Sequence, residues 1–284
     1  MSRKKAVFLY ESKRMRWFAL AGIIAGVLFT ILMMHEFKGA FEDGSFYLGG
    51  GINFGFCKML GSASILIVGC IAVMSIFQFS DWHKKSTQEY LLSLPFTQKE
   101  RFLAKALCGY GTILLSGITV LLGMIYVRNC YITEFWKNLS GIAYSDIIMG
   151  NNTMWQLIQL GLQLILMMLA LYSIFLLAHI LVSRGIVAAL IGTGMSFAPI
   201  YLWSVGYVLL YDGWFFREMQ LDIPKYREWG QYLGLCVGSG FRSTDMCSQM
   251  ESSSYYIIVN YSNFWLMLFV AFATIFIIGG LAFS

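Results

Sequence analysis

The chain has 284 residues, of which 58% are hydrophobic and 12% charged, with a formal net charge of +5. Soluble domains carry about 25% charged residues, so this composition excludes an ordinary soluble domain and points to an integral membrane protein. The positive balance calls for no nucleic acid, since no Lys/Arg-rich run interleaved with aromatics is present to follow a phosphate backbone.

The first sixteen residues form a basic amphipathic segment with Arg3, Lys4, Lys5, Lys13, Arg14 and Arg16, and an uncharged run over Trp17–Met34 follows. That order resembles a signal peptide, but no small-x-small cleavage site followed by a soluble domain appears, so the run reads as an uncleaved first span. Gly22-x-x-x-Gly26 offers a packing face within it. Further apolar runs predict helices near Met59–Ser80, Leu103–Val127, Gln156–Val182, Ile186–Leu210 and Asn263–Ala282. A span needs roughly 20 apolar residues, so six crossings are expected. Segments with period-two alternation are absent, which favours a helical bundle over a barrel. The expected fold is an all-α integral membrane protein whose residues 1–284 form a single transmembrane domain.

The connections carry the remaining signals. His35–Lys58, Arg128–Trp155 and Tyr211–Ser262 read as loops on one side, and the last is the only one long enough to fold into something of its own. Gly50 to Gly55 has the glycine spacing of a phosphate loop but continues Phe56-Cys57, so it reads as a turn. Trp17, Trp82, Trp155, Trp214 and Trp265 stand at predicted span ends, where an aromatic belt belongs. Cys70 and Cys108 fall inside spans and read as small buried apolar residues. Cys236 and Cys247 close a polar loop on the predicted outer side, where an oxidising exterior permits a disulfide; sequence leaves the connectivity open.

Polar residues within the spans are read as neutral. Gln156, Gln159 and Gln163 share one face of the fourth helix, and either bond to a neighbouring helix or line a translocation path. Pro199, following Gly192-Thr193-Gly194-Met195-Ser196, predicts a kinked fifth helix with a small-residue face. Close packing and a moving pathway wall are both open for it. Gln159, Gln163, Ser196 and Pro199 are thus the candidate path residues. No mid-span Asp or Glu is present to mark an ion pathway or an intramembrane protease. No G-x-x-x-x-G-K-[ST] occurs, and neither the cysteines nor the three histidines have metal-ligand spacing.

Orientation follows from the twenty Lys and Arg residues. The amino-terminal six, together with Lys84, Lys85, Lys99, Arg101, Lys105 and Arg184, place twelve on one side. Cytoplasmic connections hold such an excess, so both termini are expected in the cytoplasm and the protein in the cell membrane.

The second-to-third connection, within Asp81–Arg101, is the most informative stretch. Tyr90, Leu91, Leu92 and Leu94 form an apolar patch flanked by charge, which reads as a short surface helix. Pro95 disfavours helix at Leu94, and Thr97-Gln98-Lys99-Glu100 has the capping-box pattern of a fresh helix start. A surface helix, a hinge and a capped restart make an elbow, with Lys105 close behind.

These residues resemble the permease subunits of type 2 ABC exporters, whose first cytoplasmic connection often reads T-x-E-x-L-L-x-L-P-[VF]-[ST]-x-x-E before a lysine near the next span. Thr87, Glu89, Leu91, Leu92, Leu94, Pro95, Thr97, Glu100 and Lys105 match that pattern. One departure is that the sequence stops at Ser284, directly after the expected sixth span, without the short charged tail that many such proteins have. The resemblance implies that Thr87 to Pro95, including Tyr90, is a coupling helix docking on a separate ATP-binding cassette subunit, and that a second permease chain completes the assembly. It also implies that no cofactor resides in this chain, and that ATP and magnesium belong to the partner, where hydrolysis takes place. Neutral spans suit an amphipathic or apolar cargo, such as a peptide antibiotic or a lipid. A membrane signalling or assembly protein binding a cytoplasmic partner through the same helix is the second expectation. A surface helix lying on lipid without a protein partner is the alternative for the stretch itself.

Overall fold

Each predicted apolar run contains a helix in the computed structural model, which describes residues 3–42, 52–83, 97–139, 153–182, 184–209, 238–241, 255–258 and 268–277. The helices are α1 (Arg3–Glu42), α2 (Ile52–His83), α3 (Gln98–Leu139), α4 (Met154–Leu181) and α5 (Gly185–Leu209), followed by α6 (Leu268–Ile277). Segments of α1, α3 and α4, over Lys5–Glu42, Lys99–Asn138 and Met154–Leu181, are long and apolar enough to cross a membrane. Leu66–Ser80, Gly185–Phe197 and Leu268–Ile277 are shorter apolar helices. The protein is therefore a helical membrane protein.

Two helices outrun their apolar cores. α1 has 40 residues and α3 has 42, and at about 1.5 Å per residue each is roughly twice as long as a hydrocarbon core is thick. The basic segment before Trp17 and the first apolar run are one uninterrupted helix. The connections expected from His35 and from Arg128 begin instead as helix, continuing to Glu42 and Leu139. Lys38, Arg128, Glu134 and Lys137 end the hydrophobic pattern, but Lys, Arg and Glu are good helix formers, so charge stops the apolar run without stopping the helix.

Side-chain pairings fix the direction of each helix. Gly22 lies against Ser116, Gly26 against Thr119 and Thr30 against Gly123, so α1 and α3 run parallel. Gly109, Gly117 and Leu121 of α3 meet Tyr172, Ile165 and Gly161 of α4 in reverse order, so α4 is antiparallel to α3. Asn53 Nδ2 donates to Thr153 O (3.0 Å) while His179 meets Ser75 (3.2 Å), which makes α2 parallel to α4. α5 returns along α4 with Gly192 on Phe175, and α6 runs against α3 with Phe269 beside Tyr110 and Phe276 beside Phe102. Directions alternate along the chain, and the starts of α1, α3 and α5 share one end of the bundle.

α4 is the central helix. Its most apolar window is 72% buried, against 11% in α1. It begins on Thr153, whose Oγ1 accepts from Gln156 N (3.2 Å), and ends where Val182 N donates to Ala178 O (3.1 Å). The short turn that follows sends α5 back alongside. α1 is peripheral, yet it packs closely on α3 because glycines permit it. A Cβ at Gly26 would stand 2.9 Å from Thr119 Cγ2, and one at Gly22 would overlap Ser116 Oγ. The Gly22/Gly26 face thus packs helix on helix, the contact that drives association where lipid offers no hydrophobic gain.

One feature departs from an all-α chain. Gly238–Phe241 (β1) and Tyr255–Ile258 (β2) pair antiparallel, with Gly238 opposite Ile258 and Phe241 opposite Tyr255. The aromatic and β-branched run Tyr255-Tyr256-Ile257-Ile258 favours a strand, and the pair falls inside the long Tyr211–Ser262 connection.

Candidate functional site

Thr97 and Glu100 exchange hydrogen bonds at the start of α3. Glu100 N donates to Thr97 Oγ1 (3.2 Å) and Thr97 N donates to a Glu100 carboxylate oxygen (3.2 Å). Arg101 N then donates to Thr97 O (3.2 Å), closing the first helical turn. This is a capping box, which satisfies amides that the first turn leaves open.

Lys105 lies two turns further along, and it takes no part in the cap. The ammonium is fully buried with Glu11 of α1, at 3.2 and 3.3 Å from the two carboxylate oxygens. It also donates to Gln78 O of α2 (2.9 Å) and lies 6.0 Å from the Phe79 ring centroid. The expectation that polar groups within the apolar helices are neutral is therefore corrected at this end: an ion pair is enclosed between α1 and α3. Burying both charges is tolerable because each neutralises the other and the ammonium has a further acceptor.

Gln78 links this pair to the centre of the bundle. Its Nε2 donates to Lys105 O, so Gln78 and Lys105 each give a side-chain hydrogen bond to the other's carbonyl. Its Oε1 accepts from the Tyr172 hydroxyl of α4. Tyr172 is fully buried over Gly109, with its ring edge-on to Tyr110 at 5.1 Å. The Tyr110 hydroxyl is 2.8 Å from Ser173 Oγ. Because Ser173 gives its own proton to Leu169 O (2.8 Å), Tyr110 is the donor there. The same reasoning holds for His179 and Ser75. Ser75 donates to Ala72 O (2.8 Å), so His179 Nε2 is the donor across their 3.2 Å contact. The His179 ring stacks on Phe79 at 5.1 Å.

α1 is tied to the same layer a second time. Arg14 Nη2 donates to Phe77 O (2.5 Å) and to Ser80 Oγ (2.8 Å) near the end of α2. A cation there complements the partial negative charge of a helix carboxyl end. Glu11 and Arg14, three positions apart on one helix face, thus grip α3 and α2 respectively. The result is a buried polar layer joining four helices immediately behind the 84–96 connection.

The other expected site residues fall in three groups. Thr87, Glu89, Tyr90, Leu91, Leu92, Leu94 and Pro95 lie outside the described residues, as do Cys236 and Cys247. Gln163 is buried in α4 and Gln159 half-buried, while Ser196 is buried in α5 and donates to Gly192 O of its own helix (2.7 Å). α5 runs through Pro199 without interruption. The Gly192–Phe175 contact sets the register of α4 on α5. In that register Ser196 stands about two turns from Gln163, so the two are not drawn into one site. Cys108 is buried as expected, whereas Cys70 is exposed on α2. Among the described residues no group of three or more His, Cys, Asp or Glu is placed to hold a metal ion.

Sequence reasoning missed Glu11, Gln78, Tyr172 and His179. A signal for Glu11 was present: it is the only acidic residue before Glu36, and it follows Val7 and precedes Met15 at four-residue spacing on what proves to be the buried stripe. A comparison with protein-family models, with curated proteins and with solved structures finds no match to this chain.

Proposed function

We propose that the chain is the membrane-spanning permease subunit of an ATP-driven exporter of the type 2 ABC class. The observation that carries this reading is the connection pattern from Thr87 to Lys105, in which an apolar patch, a proline hinge and a capped helix start follow one another. It is supported by the capping box at Thr97 and Glu100 and by the alternating helices, which put the amino terminus, the 84–96 connection and the α4–α5 turn at one end. In this reading that end is cytoplasmic, six helices cross the cell membrane, and the connection docks on an ATP-binding cassette subunit. A second permease chain completes the complex. ATP and magnesium act in the partner, while this chain supplies the path for an amphipathic or apolar cargo.

Affinity purification of the tagged chain from its native membrane tests the proposal. The expected result is a co-purified subunit with a phosphate-binding loop, and no ATP hydrolysis by the permease chain alone. Recovery without any ATPase under mild solubilisation, or turnover by the isolated chain, would overturn it. A cytoplasmic partner that lacks a phosphate-binding loop would instead favour the signalling or assembly role.

A further inference from the structure

The two helices flanking the 84–96 connection are fastened to each other. Gln78 near the end of α2 and Lys105 near the start of α3 stand 27 positions apart and hold each other's backbone carbonyls by side-chain hydrogen bonds. Each residue also reaches a further helix: Lys105 continues to Glu11 on α1, and Gln78 accepts from Tyr172 on α4. All four are fully or almost fully buried, so water is not available as a substitute partner. A slide of one helix past another would leave a charge or an amide uncompensated in an apolar medium, which makes register at this layer stiff.

We propose that Gln78 and Lys105 form a staple that makes the ends of α2 and α3 move as one body, and that Glu11 and Tyr172 are positioning residues that deliver this movement to α1 and α4. The inference rests on the exporter reading, which supplies the push on the connection. It adds the route by which the push reaches helices that the connection does not belong to. The glycine seams of α3 with α1 and α4 set their register, but dispersion contacts are non-directional and by themselves resist a small shift less than the polar bonds do. Bonds between charged and amide groups are directional and weaken steeply when their geometry is disturbed.

The test uses the complex with its ATPase partner in lipid nanodiscs. Fluorophores are attached through bio-orthogonal amino acids replacing Lys13 and Arg184, both exposed and at this end of the bundle. The reading is the change in energy transfer between α1 and α5 on adding ATP and vanadate. In Gln78→Leu, Glu11→Gln and the shape-preserving Tyr172→Phe, the change falls roughly fivefold or more while ATP hydrolysis persists, a loss on the scale of a site-to-site coupling. The doubly substituted Glu11→Lys/Lys105→Glu protein restores charge balance, but a carboxylate at position 105 cannot donate to Gln78 O. It therefore regains thermal stability without regaining the ATP-driven change. A merely structural layer would make the change follow stability through the whole series, and that result overturns the proposal while leaving the exporter reading intact. A wild-type complex that shows no ATP-driven change, or binds no ATPase, overturns both.

Discussion

Gly109 of α3 lies under the phenol end of Tyr172 of α4, so closely that a Cβ at position 109 would overlap the hydroxyl oxygen. The small residue is what lets Tyr172 reach Gln78. Gly109→Ala must displace a fully buried ring that also touches Tyr110, and overpacking of this kind costs about 1–3 kcal/mol. Thermal unfolding of the purified protein in detergent should show a lowered midpoint, and Tyr172→Leu in the same background should recover part of the loss. An unchanged midpoint for Gly109→Ala would mean that the ring has room to move.

The Glu11–Lys105 pair makes a prediction for stability apart from any function. Removing one partner strands the other charge in the bundle, so Glu11→Ala and Lys105→Ala should each destabilise by about 3–5 kcal/mol. Removing both strands neither charge, and the double variant should lose clearly less than the sum of the two. A double-mutant cycle on unfolding midpoints reads this coupling directly. Additive losses would show that the two groups act independently.

Glycines on α1 should differ sharply by position. Gly22 and Gly26 face Ser116 and Thr119, whereas nothing lies within 4 Å of a Cβ at Gly39. Gly22→Leu and Gly26→Leu should separate α1 from α3 and lower the unfolding midpoint. Gly39→Ala, in open helix, should stabilise by roughly 0.4–1 kcal/mol through the entropy of the unfolded chain. Equal effects at all three positions would contradict the close α1–α3 seam.

The cap at Thr97 should be replaceable by its nearest equivalent alone. Thr97→Ala removes the acceptor for Glu100 N and should cost about 1 kcal/mol, while Thr97→Ser should keep most of it. Hydrogen exchange at the amides of the first α3 turn measures the effect locally. Unchanged protection in Thr97→Ala would show that the cap is not needed to start α3.

Within the connection, the exporter reading assigns different work to Glu89 and to the leucines. Burying a leucine in a partner pocket contributes roughly 1.5–3 kcal/mol, so Leu91→Ala with Leu92→Ala should weaken recovery of the ATPase subunit. An exposed carboxylate pair contributes only about 0–1 kcal/mol, so Glu89→Ala should assemble nearly normally. Pull-down with quantified ATPase separates the two. Normal recovery of the leucine variant would leave the stretch as a surface helix on lipid.

What the sequence by itself determined is the class of molecule, the positions of its helices and the start of α3. Those are local properties. An apolar run such as Trp17–Met34 declares a membrane helix wherever it packs, and Thr97 needs only Glu100, three positions away, to cap one. Only the tertiary structure decided which faces are inside. Hydropathy cannot separate a residue that touches another helix from one that touches lipid, so Cys70 and Cys108 looked alike in sequence yet one is exposed and the other buried. The same ambiguity hid the polar layer. Glu11 is 94 positions from Lys105, and among six basic neighbours it reads as one more charge on a solvated segment. The two meet because Gly22, Gly26 and Gly123 set α1 parallel to α3 at close range and in one register. Once that register is fixed, an acid on α1 and a base on α3 are buried side by side, and pairing is the arrangement that avoids an uncompensated buried charge.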